Sequence, residues 1–138
     1  MISLVMDTSN SYLAVGLFKD NMCLEAFQEK GSRRQSEKAI PSLKEVLDRH
    51  HIALKDVNEM IITSGPGSYT GVRVAMTIAK TLAAVSDVRI KSVSSLAAYA
   101  GMNQALSVID ARGHKVFVGV YENGLPLIKE QVMTLEDF

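Results

Sequence analysis

The sequence predicts an α/β fold that completes one unit and then begins a second copy of it. Three observations carry this. Apolar runs alternate with segments of helical periodicity in the order βββαβαβα, polar and Gly-bearing breaks separate them, and residues 104–138 repeat the opening of the chain. Ile2 to Met6 is a short apolar run, broken only by Ser3 and ending at Asp7-Thr8-Ser9-Asn10, the pattern of a buried strand feeding a polar turn. Tyr12 to Phe18 and Met22 to Phe27 flank Lys19-Asp20-Asn21 and read as a hairpin, so the chain opens with an antiparallel meander. From Ser36 to His50, Ile40, Leu43, Val46 and Leu47 recur at helical spacing, which places Pro41 in the first turn or at a bend. Glu59 to Ser64 is the next strand, Thr70 to Val85 a long helix, and Ile90 to Val93 a strand. Ser94 to Met102 is a short helix capped by Ser94 or Ser95.

The repeat has an offset of 103 residues. It places Val108 over Val5, Ile109 over Met6, Asp110 over Asp7, Val118 over Val15 and Gly119 over Gly16. Two unrelated hairpins of similar pattern are the alternative. Duplication divides the chain into a first lobe, 1–103, and the opening strands of an incomplete second lobe, 104–138. The second lobe then has strands without helices, which leaves one sheet face bare.

Composition excludes several classes. With 138 residues, 47% hydrophobic and 22% charged, the chain has material for a real core, against disorder or fibrous structure. Its 15 basic and 15 acidic side chains cancel, so no net field draws it onto a polyphosphate, and any nucleic acid is expected to be shared with a partner or met through a local patch. A lone Cys23, no signal-peptide pattern and no apolar run near the ~20 residues needed to span a bilayer point to the cytosol.

The segment Gly65-Pro66-Gly67-Ser68-Tyr69-Thr70-Gly71-Val72-Arg73 lies between a strand and a helix N-terminus, where backbone N–H groups can hold an anion. It lacks the Lys-Ser/Thr of a P-loop and the spacing of the dinucleotide motif. Along the following helix, Gly71, Ala75, Ala79 and Ala83 lie four apart and form a ridge of small residues. Such a ridge admits a partner helix, or packs on the domain's own sheet. Asp7 and Asp110, each at the end of an opening strand, either pair to position a metal or water, or cap their own turns. His50, His51 and His114 lack metal-ligand spacing, and no metal site is expected. Lys30, Arg33, Arg34 and Lys38, diluted by Glu29 and Glu37, read as a solvated loop.

Three segments together resemble the TsaB (YeaZ) family: Met6-Asp7-Thr8-Ser9, the stretch from Gly65 to Arg73, and Val108-Ile109-Asp110-Ala111-Arg112. The resemblance covers nearly the whole chain, with the family's C-terminal portion expected beyond Phe138. It implies a two-lobed actin-like (ASKHA, ribonuclease-H-like) fold and a part in making N6-threonylcarbamoyladenosine beside the anticodon of tRNAs that read codons beginning with A. In that pathway a TsaC-type enzyme makes the activated adenylate, TsaD transfers the group, and TsaE supplies an ATPase. TsaB is the dimerising partner of TsaD, through helices that here are 36–50 and 70–84. The resemblance thus implies partner contacts from Ile40, Leu43, Leu47, Gly71, Ala75, Ala79 and Ala83, and a nucleotide or interface loop at Asp7–Ser9, Gly65–Gly71, Arg73 and Asp110.

Departures from the pattern argue against independent catalysis. A kinase of this fold carries glycine in its phosphate turns, where this chain has Asp7-Thr8-Ser9 and Asp110-Ala111-Arg112. The histidine pair of TsaD-like proteins is absent, and Gln35 stands where a single His is common in TsaB. The expectation is a non-catalytic subunit needing no cofactor, with ATP or ADP confined to an interface shared with a partner. It is a homodimer when alone. The alternatives are a degenerate glycoprotease-like peptidase, an actin-like-superfamily kinase and an interaction module unrelated to tRNA. Ala79→Glu is expected to break association while leaving the fold intact.

Overall fold

A computed structural model describes residues 1–30 and 35–138. The first sheet has five strands in the order β3-β2-β1-β4-β5: β1 (Ile2–Asp7), β2 (Tyr12–Lys19), β3 (Met22–Lys30), β4 (Glu59–Thr63) and β5 (Arg89–Val93). β1 is mostly apolar because it sits in the middle, antiparallel to β2 on one side and parallel to β4 on the other, with Ser3 and Asp7 its two polar residues. Helices α1 (Gln35–Arg49) and α2 (Tyr69–Val85) close the core over Leu4, Met6, Leu13, Val15 and Leu17. Pro41 sits inside α1, past its first turn, so the Glu37 carbonyl loses its helical partner. Ile40 shares the apolar spacing of α1 but stays 52% exposed, while Leu43, Val46 and Leu47 go into the core. No described helix is long and apolar enough to cross a membrane. Arg33, Arg34 and the side chain of Gln35 fall outside the described residues; Lys38 pairs with Glu29 at 3.5 Å.

Helix α3 (Ser95–Ala100) follows β5, capped by Ser94, whose Oγ accepts the Ala97 N–H. A second sheet, β6 (Ala105–Arg112), β7 (Lys115–Glu122) and β8 (Leu125–Thr134), forms the three-stranded meander that the repeat predicts. Its three strands begin 103 residues after β1, β2 and β3. The likeness extends to the turns. Asp20 and Asn21 both have positive φ, and so do Asn123 and Gly124, the pair of dihedrals that a type I′ hairpin needs. Gly16 lies beneath the Phe18 ring, where an added Cβ would stand 3.0 Å away, and Gly119 beneath the Tyr121 ring at 2.7 Å.

The register departs from the repeat. Val5 faces Gly16, but Ser107, not Val108, faces Gly119, with an irregularity between Asp110 and Arg112. A one-residue slip turns β6 over relative to β7. Ile109 therefore joins Phe117 and Tyr121 on the face packed by Leu96 and Ala100 of α3, while Leu106 and Val108 point the other way.

Two buried groups make stability depend on pH at opposite ends. Glu59 is buried at the start of β4, 2.9 Å from Lys91 Nζ and accepting from Ser3 Oγ at 2.8 Å. Lys91 first and the Ser3 hydroxyl second hold its carboxyl below the usual range. The Tyr121 phenol, donating to Glu130, is pushed up to about 12 by burial first and that carboxylate second. A lowered acid stabilises above its unfolded value of 4.5 and loses that contribution as pH falls through the folded value. A raised phenol stabilises below 10.0 and loses its contribution as pH rises towards about 12. Urea unfolding across pH should therefore show shoulders in both windows. Glu59→Gln should shrink the acid one, to which Glu25 beside Arg49 and Asp20 beside the N-terminal ammonium also contribute, and Tyr121→Phe should flatten the alkaline one, each without touching the other.

Candidate functional site

Three loops converge at the carboxyl ends of the parallel strands, the place where open α/β sheets bind ligands: the turn after β1, the Gly-rich segment after β4 and the start of α3. Asp7 organises the first. Its Oδ1 accepts the Ser9 N–H at 2.8 Å, the Ser9 hydroxyl at 2.6 Å and the Thr63 hydroxyl at 2.7 Å. The Ser9 carbonyl accepts the Ser68 N–H at 2.8 Å, and the Gly65 carbonyl accepts the Ser95 N–H at 2.8 Å. Ser95 Oγ donates to Ser9 Oγ at 3.1 Å, and Thr8 Oγ1 donates to the Gly71 carbonyl. Asn10 reaches the Tyr99 hydroxyl at 2.6 Å. Thr63, Ser95 and Tyr99 join this network without a sequence signal, because only strand register and loop packing bring them to Asp7, Ser9 and Asn10.

The glycines serve this packing. A Cβ on Gly67 would stand 2.4 Å from the Ser9 carbonyl oxygen, and one on Gly71 would stand 1.8 Å from that of Thr8. Gly65, before Pro66, has φ +96, a conformation costly for any side chain. The loop thus receives two carbonyl oxygens of the first turn. Carbonyl oxygens repel an anion, whereas a phosphate cradle presents N–H groups.

Asp110 caps its own turn, accepting the Arg112 N–H at 2.8 Å as Asp7 accepts that of Ser9. Among the described residues, no cluster of three or more His, Cys, Asp or Glu side chains converges to hold a metal. The remaining residues of the segment face outward. Tyr69 is 75% exposed, the Arg73 guanidinium lies 5.4 Å from its ring centre, and both line a shallow groove of about 400 Å³ with Thr70, Val74, Thr77 and Ile78.

The small-residue ridge is corrected by the structure. Gly71, Ala75 and Ala79 are buried against the chain's own sheet and Ala83 is packed half-buried beside them. Their size lets α2 approach β1 and β4, so the close helix contact is internal. Leu43 and Leu47 of α1 are buried in the same core, which leaves Ile40 as the residue of that group on the surface.

The family described as TsaD: tRNA N6-adenosine threonylcarbamoyltransferase matches residues 28–137. The tRNA threonylcarbamoyladenosine biosynthesis protein TsaB of Bacillus subtilis is 33% identical over 147 residues, a match that covers all of this chain and 64% of that protein. The chain belongs to the TsaB (YeaZ) family. Its relative TsaB of Escherichia coli is 31% identical over 132 residues, covering 88% of this chain and 57% of that one. YeaZ from Pseudomonas aeruginosa superposes with a TM-score of 0.87 at 28% identity, over 96% of this chain and 67% of that one. The chain therefore spans under two thirds of the TsaB sequences it matches, and its fold is the actin-like α/β architecture.

Proposed function

We propose that the chain is a non-catalytic dimerisation and scaffold subunit that supports a TsaD-like transferase in forming N6-threonylcarbamoyladenosine next to the anticodon of tRNAs reading codons that begin with A. Membership of the TsaB family supports the pathway. The observation that carries the non-catalytic role is the packing of the Thr8 and Ser9 carbonyl oxygens against Gly71 and Gly67, which turns the first loop pair into a closed structural joint. Partner contact then falls to the outer faces of α1 and α2, where Ile40, Tyr69, Arg73 and Thr77 are exposed. An exposed aromatic beside a guanidinium, on a groove that also carries Val74 and Ile78, is the composition of an interface anchor. On this reading the protein is cytosolic, pairs with itself when alone, exchanges that contact for the TsaD-like subunit, and meets a TsaE-like ATPase and tRNA only within the assembly. It needs no cofactor of its own; ATP or ADP, where bound, lies at the shared interface.

The test is co-purification with a TsaD-like protein followed by a reconstituted tRNA-modification assay. Tyr69→Glu should weaken the complex by about tenfold or more, roughly 1.4 kcal/mol, while far-UV circular dichroism stays unchanged. An unaltered complex with that variant, or modification at full rate without this chain, would overturn the reading.

A further inference from the structure

Helix α2 turns one stripe inward and another outward. Gly71, Ala75 and Ala79 are buried, whereas Tyr69, Arg73, Thr77, Lys80 and Ala84, each three or four residues from the next, are all exposed. The helix contains no Asp or Glu, so every charge on its outer stripe is positive, in a chain whose 15 basic and 15 acidic side chains otherwise balance. Elsewhere Lys38 meets Glu29 at 3.5 Å, Lys91 meets Glu59 at 2.9 Å, and Arg49 pairs with Glu25 and Glu45. Among the described residues, neither Arg73 nor Lys80 forms an ion pair. A single unpaired surface cation is ordinary. Two on one stripe are a pattern: seven residues separate them, which is about 10 Å along the axis and about 20° around it. Arg73 is also held in place. Its guanidinium lies 5.4 Å from the Tyr69 ring centre, and Nη1 donates to the Tyr69 hydroxyl at 3.4 Å. A guanidinium laid on a ring keeps donors free at its edge, and a carboxylate is the group that its planar fork fits.

We propose that the outer stripe of α2 docks an acidic protein face, one carboxylate taken by Arg73 and a second, about 10 Å away, by Lys80. Between them an apolar side chain of the partner seats on Val74 and Ile78, which line the groove beside Arg73. The inference rests on the reading that α1 and α2 carry the partner contact, and adds the chemistry by which the partner is chosen. A second copy of the chain fits less well, because two α2 stripes brought together set cation against cation. Nucleic acid fits less well by number: two phosphate contacts supply little affinity, and the neutral chain adds no net field.

The probe is the cognate TsaD-like protein, mixed with the 138-residue chain and followed by surface plasmon resonance at about 50 and about 500 mM NaCl. Affinity should fall about tenfold or more across that range, mainly through slower association. Arg73→Gln and Lys80→Gln should each weaken the complex about three- to tenfold at low salt, and together they should remove most of the salt response. Arg73→Lys, which keeps the charge and loses the fork, should keep the salt response while still binding less tightly. Both positions are exposed, so far-UV circular dichroism should not change, and the salt response of the unsubstituted chain decides the matter without any variant. A complex that Tyr69→Glu weakens but that is indifferent to salt and to Arg73 and Lys80 would overturn this proposal and leave docking on α2 standing. Absence of any complex would overturn both. Capture of tRNA by the chain alone, lost in the double variant, would also overturn it, since the stripe would then serve phosphate.

Discussion

Gly71→Ala should cost about 4 kcal/mol or more and lower Tm by about 15 °C, a larger loss than ordinary helix propensity allows, since alanine is the better helix former. The cause is contact with main chain. The new Cβ would stand 1.8 Å from the Thr8 carbonyl oxygen and 2.9 Å from its carbon, distances that backbone atoms cannot relieve by a rotamer change. Retreat of the turn is also opposed, because Thr8 Oγ1 is bonded to the Gly71 carbonyl and the Ser9 carbonyl accepts the Ser68 N–H. Moving either element would break both bonds and disturb the three donors on Asp7. Thermal unfolding followed by circular dichroism checks this. A fall of less than about 4 °C, the scale of a single kcal/mol, would mean that the turn and helix yield more readily than this packing implies.

Ala79→Glu should unfold the chain rather than free a soluble monomer. Ala79 has no exposed surface and lies in the core between α2 and the first sheet, among Leu4, Met6 and Ile62. An ionised carboxylate there has no cation to pair with in that apolar cluster, and burying it unpaired costs several kcal/mol, on the order of the whole stability of a domain this size. Far-UV circular dichroism and sedimentation of the variant should report lost helix and aggregation. Ile40→Glu, on the exposed side of α1, is the control and should change Tm by no more than about 2 °C. A folded, monomeric Ala79→Glu protein would restore the ridge as a docking surface.

Most of the architecture was legible in the amino-acid order. The apolar run before Asp7, the Asp20-Asn21 break and the helical spacing of Leu43, Val46 and Leu47 are local signals, and each element formed within a few residues of its expected place. The repeat announced a second meander because Gly119 and Tyr121 reproduce Gly16 and Phe18. What periodicity does not carry is direction. The spacing of Gly71, Ala75 and Ala79 defines one face of a helix without saying whether a sheet or a partner lies against it. The answer came from Thr8, some sixty residues earlier in the chain.

The sequence by itself determined the α/β class, the order βββαβαβα, the duplicated opening and, through three short motifs, the TsaB family. Those properties rest on near neighbours in the chain, where spacing and residue type act directly. Only the tertiary structure decided that Gly67 and Gly71 seat the Ser9 and Thr8 carbonyl oxygens, that Asp7 and Asp110 cap separate turns, and that β6 slips by one residue against β7. Each of these depends on contacts between segments far apart in the chain, and a single-residue change of register is enough to send every side chain of a strand to the opposite face.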